Sequence, residues 1–309
     1  MKNILVIVIA VFSITASAQS LSKKRITQLD KSVVRIFVND TASGTGFFAA
    51  ENWIITNRHV IERGIIRDSI SKEVINILPI KAQLANKDVF NLEILESQLI
   101  GGENDLSVAL DFVLLKVDSL QSINLDLKSK IRPLKMGSWD DVSEGDVVYT
   151  CGYPLSIKDR FISTGTLSTK FTSKEKLRTY RVLNDKGKQL VLRNTGKPLV
   201  FTTFKERDAA WCDLTVNRGN SGGPVIKLNK FPKKDVVIGI TSFLQNPYYR
   251  VGEEGAKYYN EIYEKNKEKG MTVNKQMATL FEALATNSFG IGGIISIDYA
   301  NSILSQLNQ

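Results

Sequence analysis

The sequence predicts a mainly β fold, a sandwich or barrel built from many short strands. Short apolar segments dominate the chain, and Gly, Asn, Asp and Ser separate them. Strands do not alternate with amphipathic helices, which argues against a parallel βαβ architecture. No internal repeat is visible. With 309 residues and 43% hydrophobic content, the chain can bury the core of one large domain or two modest ones.

In chain order, the first segment lies outside the fold. In MKNILVIVIAVFSITASAQS, Lys2 supplies a positive start and Ile4 to Ala18 is mostly apolar. Ala16-Ser17-Ala18 is the small-x-small pattern that signal peptidase cuts. The run falls short of the ~20 apolar residues of a membrane span. Residues 1–18 therefore read as a signal peptide, and the mature chain as starting at Gln19, periplasmic or secreted. No cysteine stands at the cleavage site, which argues against a lipoprotein. No later segment is long and apolar enough to span a membrane.

The strands follow. Ser32–Val38, Gly44–Ala50, Trp53–Asn57, Asp111–Val117, Asp146–Tyr153, Arg160–Ser168, Gly223–Leu228 and Val236–Leu244 read as short apolar segments bounded by turn residues. Three stretches interrupt them. Arg63–Pro79 is mixed and reads as an insertion. Thr179–Asn194 reads as a hairpin with Asn-Asp-Lys-Gly as its turn, inside an inserted region of about 170–207. Ala256–Ala285 is helical in character: Met277, Leu280, Phe281 and Leu284 follow i, i+3, i+4, i+7, and Gly270 fits a helix stop before them. Ile297–Gln309 closes the chain as a short helix.

Charge and cysteines bound the function. The formal net charge is +9. Part of it is local: between Gly165 and Arg207 stand Lys170, Lys174, Lys176, Arg178, Arg181 and further cations against only Glu175, Asp185 and Glu206. Such a stretch is either a solvated loop or an anion-facing surface. No helix-turn-helix, zinc-finger or RNA-binding signature accompanies it, so nucleic acid is not the expected partner. Cys151 and Cys212 are too few for a disulfide framework, so the core must supply the stability. The reading calls for no cofactor and no metal.

The stretch NRGNSGGPV, Asn217–Val225, holds the candidate chemistry. A serine hydroxyl is a poor nucleophile unless a base takes its proton. The one histidine of the chain, His59, follows an apolar strand in ITNRHVI and can be that base for Ser221. A carboxylate must then orient the imidazole and stabilise its charged form. Asp111 heads the apolar DFVLLKV, where a buried carboxylate needs a partner. The backbone N–H groups of Gly219 and Ser221 can converge on the oxyanion of a tetrahedral intermediate, in a turn that a Cβ would oppose.

This ordered set resembles the trypsin-like (chymotrypsin-fold) serine proteases, and within them the HtrA/Deg branch. GTGFFAAENWIITNRHVI is similar to that branch's glycine-phenylalanine strand and Thr-Asn-x-His-Val box, and DFVLLKV to its aspartate strand. LKMGSWDDVSEGDVVYTCGYPL, STGTLS, NRGNSGGPV, VIGITSFL and GGIISIDYANSIL follow in the branch's order, over roughly residues 25 to 305. The resemblance implies two six-stranded antiparallel β-barrels, about 19–130 and 131–309, with the active site between them. It implies His59 as general base, Asp111 as its orienter, Ser221 as nucleophile, and Gly219 with Ser221 as oxyanion donors. Asp105 in DLSVAL is the rival to Asp111, and Asp118 a weaker third; the fuller match of DFVLLKV decides for Asp111. In this fold Cys151 and Cys212 are expected on strands that are not neighbours, hence as buried free thiols. The pocket for the substrate's P1 side chain would have Thr215 as floor and Ser242, Phe243 and Leu244 as wall. None is charged, and Leu244 would narrow the entrance, so the implied preference is for small uncharged P1 residues.

The departures are specific. The sequence ends at Gln309 without the PDZ domain usual in the branch, Arg218 stands where the branch usually has proline, and the helical insertion is unusual. Asn220 occupies the place of the aspartate that trypsin-type zymogens use, so activation by zymogen cleavage is not expected. The implied function is an exported serine endopeptidase acting on protein or peptide substrates. The alternative is a dormant binding protein on the same scaffold. An anionic partner at 165–207 is compatible with either.

Overall fold

The structure is a computed structural model, and it describes residues 21–68, 74–95, 110–117, 131–154, 158–181, 188, 190–191, 198–229, 233–244, 249–267, 272–286 and 292–307. Strands β1 (Val33–Val38), β2 (Thr41–Ala50), β3 (Trp53–Thr56), β6 (Ile80–Gln83), β7 (Val89–Ile94) and β8 (Val113–Val117) close into a barrel in the order β1-β2-β3-β8-β7-β6. Strands β9 (Val147–Gly152), β10 (Phe161–Arg181), β11 (Val200–Cys212), β12 (Pro224–Lys227), β13 (Val236–Leu244) and β14 (Gly292–Ser296) close into a second, in the order β10-β11-β14-β13-β12-β9. Neighbouring strands in both are antiparallel. Closure leaves no open edge along the barrel walls. Strands β4 (Ile65–Arg67) and β5 (Val74–Ile77) pair as a separate ribbon within the stretch read as an insertion.

Doubled apolar residues explain how the barrels are filled and joined. Successive side chains of a strand point to opposite faces. Phe48, Ile54 and Leu115 fill the first barrel, while their neighbours Phe47, Ile55 and Leu114 point out of it. Ile294 likewise lies in the second barrel's core, and Ile295 outside it. The outward set forms one cluster with Tyr149, Cys151, Ala209, Ile226 and Ile240 of the second barrel. These strands are buried on both faces, so they read in sequence as apolar runs rather than alternations.

Helices seal the junction. Helix α1 (Lys23–Asp30), which no sequence signal had marked, buries Leu29 in the shared cluster. Its Arg25 pairs with Asp235 of the second barrel at 2.6 Å. Helix α5 (Asp298–Leu307) adds Ala300 and Leu304 to the same cluster. Its Asp298 carboxylate accepts the Trp139 N–H at 3.1 Å, which fixes the connection that enters the second barrel.

Two sequence expectations change. The hairpin expected within Thr179–Asn194 is not the pairing observed. Thr179, Tyr180 and Arg181 continue β10 and pair with Thr202, Phe201 and Val200 of β11; the expected turn, 184–187, lies outside the described residues. The longer ribbon follows a backbone register that a linear reading does not reveal, with position 174 opposite 206 and 175 opposite 205. The helical insertion is two helices, α3 (Tyr249–Lys265) and α4 (Thr272–Thr286). Their seam stacks Tyr259 on Phe281 at 5.5 Å and buries Ala278, while Leu280, expected on the apolar face, is 53% exposed. A single partner helix covers only a narrow stripe, and Leu280 falls beside it. Gly270 and the Leu284 side chain lie outside the description.

Both cysteines are buried free thiols. Burial pushes each thiol up to about 12, against an unfolded value of about 8.5. Neither is expected to react with an aqueous disulfide reagent at pH 8 until the protein is unfolded, when both react; prompt labelling of the folded protein would contradict this. Between the two values the folded state holds the protons that the unfolded state releases. The thiols' share of stability is therefore complete below the unfolded value and is lost as pH rises towards 12.

Candidate active site

Strand β3 ends at Thr56, and a short helix, α2 (Arg58–Glu62), begins two residues later. His59 is therefore presented from the first turn of a helix at the rim of the first barrel. Its imidazole is 49% exposed. The segment before β8 brings up Asp111, whose φ of 52° is left-handed. Nδ1 of His59 lies 2.9 Å from Asp111 Oδ2 and 3.0 Å from Oδ1.

Three further groups hold that aspartate. The His59 backbone N–H donates to Oδ1 at 3.1 Å, so the carboxylate also caps the start of α2. The Asn57 side-chain amide donates to the Asp111 carbonyl at 2.7 Å. The Ser242 hydroxyl donates to Oδ2 at 2.5 Å. The carboxylate can only accept, and every group on it can donate. With Nδ1 donating, Nε2 is left as the imidazole's acceptor.

Ser221 lies in the turn before β12, and the first barrel grips that turn. Thr45 of β2 donates its N–H to the Ser221 carbonyl at 2.9 Å and its hydroxyl to the Gly219 carbonyl at 2.6 Å. Gly219 and Gly222 have φ of 99° and 83°. A Cβ on Gly44 would lie 3.0 Å from the Ser221 carbonyl oxygen and 2.6 Å from Val60 Cγ2, so the serine and the residue after the histidine flank one glycine. Among the described residues no hydrogen bond joins the Ser221 hydroxyl to the imidazole, and neither the Gly219 nor the Ser221 N–H has a protein acceptor.

The model of the trypsin-like peptidase domain matches residues 44–231, a span that holds His59, Asp111 and Ser221. The chain belongs to this family. It is similar to the serine protease HTRA1A of Danio rerio, 28% identical over 189 residues, covering 61% of this chain and 28% of that protein. It is also similar to the chloroplastic Protease Do-like 1 of Arabidopsis thaliana, 26% identical over 206 residues, covering 66% of this chain and 34% of that one. The match thus spans about a third or less of these relatives. Among solved structures, an HtrA-type protease AlgW with tripeptide aligns over 91% of this chain and 62% of its own, at 15% identity and a TM-score of 0.49.

The remaining expected residues of this trypsin-like peptidase domain divide. Thr215 is exposed, and its N–H donates to Ser163 Oγ at 2.9 Å. Ser242, expected in the pocket wall, also donates its hydroxyl to Asp111, a charge-assisted bond. The backbones of Phe243 and Leu244 pair with Gly293 and Gly292, and their side chains lie outside the described residues. So do Asp105 and Asp118. Asn57, Thr45 and the Ser242 hydroxyl were not anticipated as site residues. No local feature of the sequence marks these bonds, which join residues far apart in the chain.

Proposed function

We propose that the protein is an exported serine endopeptidase, with residues 1–18 removed and the barrels of 19–130 and 131–309 as its two halves. The reading is carried by one observation: the His59–Asp111 pair sits beside a nucleophile turn whose Gly219 and Ser221 N–H groups are unengaged. In this mechanism Ser221 Oγ attacks the scissile carbonyl as His59 Nε2 takes its proton. Asp111 stabilises the imidazolium, and the two N–H groups bind the oxyanion. The imidazolium then protonates the leaving amine, and water repeats the sequence on the acyl-enzyme. The open Ser221–His59 contact fits a substrate-free site, where such bonds tighten on binding. Thr215, uncharged, is assigned to the floor of the P1 pocket, which favours small uncharged residues, since a buried unpaired lysine ammonium would be costly there. The Lys/Arg-rich stretch 165–207 is assigned to an anionic partner.

The test is labelling of the purified mature chain with a serine-directed phosphonate, wild type against Ser221→Ala, followed by cleavage of a mixed peptide library. Labelling should occur in the wild type alone. Absence of labelling and of cleavage would establish the dormant, binding reading instead. A dominant preference for Lys, Arg or large aromatics at P1 would overturn the pocket assignment and leave the nucleophile untouched.

A further inference from the structure

We propose that Thr45 is a positioning residue for the oxyanion loop: its buried hydroxyl fixes the Gly219–Asn220 peptide and so aims the Gly219 N–H. The inference rests on the serine-protease reading above. Thr45 is fully buried, and all its polar groups are engaged. Its hydroxyl accepts the Tyr153 N–H at 2.9 Å and donates to the Gly219 carbonyl at 2.6 Å. Its N–H donates to the Ser221 carbonyl at 2.9 Å, and its carbonyl accepts the Thr56 hydroxyl at 2.6 Å.

The consequence follows peptide by peptide. The Ser221–Gly222 unit is held at both ends, its carbonyl by Thr45 N–H and its N–H by the Thr241 carbonyl at 2.8 Å. The Asn220–Ser221 unit is held by Gly223 N–H on the Asn220 carbonyl at 2.8 Å, which points the Ser221 N–H the opposite way. The Gly219–Asn220 unit is held by Asn220 N–H on the Asn217 carbonyl at 3.0 Å and by the Thr45 hydroxyl. Beyond it, no hydrogen bond among the described residues holds the Arg218 carbonyl. The Gly219 N–H belongs to that unheld Arg218–Gly219 unit, joined to the rest through a glycine at φ 99°. The Thr45 hydroxyl is thus the last fixed point before it, and the one side-chain hydroxyl in the set. It comes from the opposite barrel, so docking of the barrels and formation of the oxyanion site are one event.

The experiment compares Thr45→Val, which keeps the shape and removes the hydroxyl, with Thr45→Ser, which keeps the hydroxyl and removes the methyl. Peptide hydrolysis is measured together with inhibition by a peptide aldehyde. That aldehyde adds to Ser221 Oγ as a hemiacetal, whose oxygen occupies the oxyanion site. Thr45→Val is expected to lower kcat about 10- to 100-fold with KM nearly unchanged, and to weaken the aldehyde by a similar factor. Thr45→Ser should stay within about threefold of wild type in both. Equal losses in the two variants, or a Thr45→Val enzyme with normal kcat and only a lowered Tm, would overturn the assignment. If Thr45→Val does not fold, Thr45→Ser decides alone: retained activity supports the role of the hydroxyl, and lost activity refutes it. A wild type that neither labels nor cleaves fails earlier, through the protease reading, and is distinguishable on that ground.

Discussion

Replacing Asp111 by asparagine is expected to lower kcat/KM by roughly 10³- to 10⁴-fold while leaving the fold intact. The backbone tolerates the change, because asparagine accepts the left-handed φ of 52° that this position adopts. The hydrogen bonds do not. Oδ1 receives the His59 backbone N–H at 3.1 Å, and that donor cannot reverse its role. Oδ2 receives Ser242, whose hydroxyl can rotate to accept instead. The amide oxygen therefore takes the Oδ1 place, and the NH₂ takes the Oδ2 place, 2.9 Å from His59 Nδ1. A donor there favours the tautomer with Nδ1 bare and Nε2 protonated, which cannot take the serine's proton. Ser242→Ala removes one of several donors to the same carboxylate and should cost less, about 10- to 100-fold, consistent with one hydrogen bond to a charged group. Steady-state kinetics on one peptide substrate measure both. An Asp111→Asn enzyme within tenfold of wild type would place the orienting carboxylate elsewhere.

What the sequence revealed and what it hid follow from the range of the interactions. Phe47-Phe48, Ile54-Ile55 and Leu114-Leu115 announced strands because a strand between two cores needs apolar residues on both faces. Strand β7 was missed: only Phe90 and Leu92 are buried, and Val89, Asn91 and Glu93 face outward. Of strand β11, only the end at Cys212 was expected; the rest was missed because the charged stretch up to Arg207 read as a solvated loop. Its partners lie on β10, where Thr172 bonds Asp208 at 2.9 Å. At the site, His59, Asp111 and Ser221 were legible because each stands in its own flanking pattern. Thr45, and the bond of Ser242 to Asp111, were not, since these bonds cross 174 and 131 residues of chain, and a threonine in a strand carries no local mark of such a partner.

The second large effect is expected at Gly222, on stability rather than on chemistry. A Cβ there would lie 2.2 Å from the Thr45 carbonyl oxygen and 2.2 Å from Thr56 Oγ1, with the Asn57 nitrogen at 3.0 Å. Those two oxygens already share a hydrogen bond of 2.6 Å inside the wall of the first barrel, so neither can withdraw cheaply. The residue's φ of 83° adds backbone strain for any side chain. Strain of this kind costs about 1–3 kcal/mol and overpacking a similar amount, so Gly222→Ala should lose roughly 3–5 kcal/mol. At about 2 °C per kcal/mol for a protein of this size, Tm should fall by roughly 6–10 °C. Gly145→Ala separates the two causes. Gly145 has φ 85°, and a Cβ there would meet nothing within 4 Å, so it carries the strain without the clash. It should lose only about 1–2 kcal/mol. The difference between the variants then measures how tightly the nucleophile turn is docked on the opposite barrel. Equal losses at the two glycines would mean that the turn can lift away from Thr45 at little cost, and that the barrels do not grip Ser221 as the hydrogen bonds indicate.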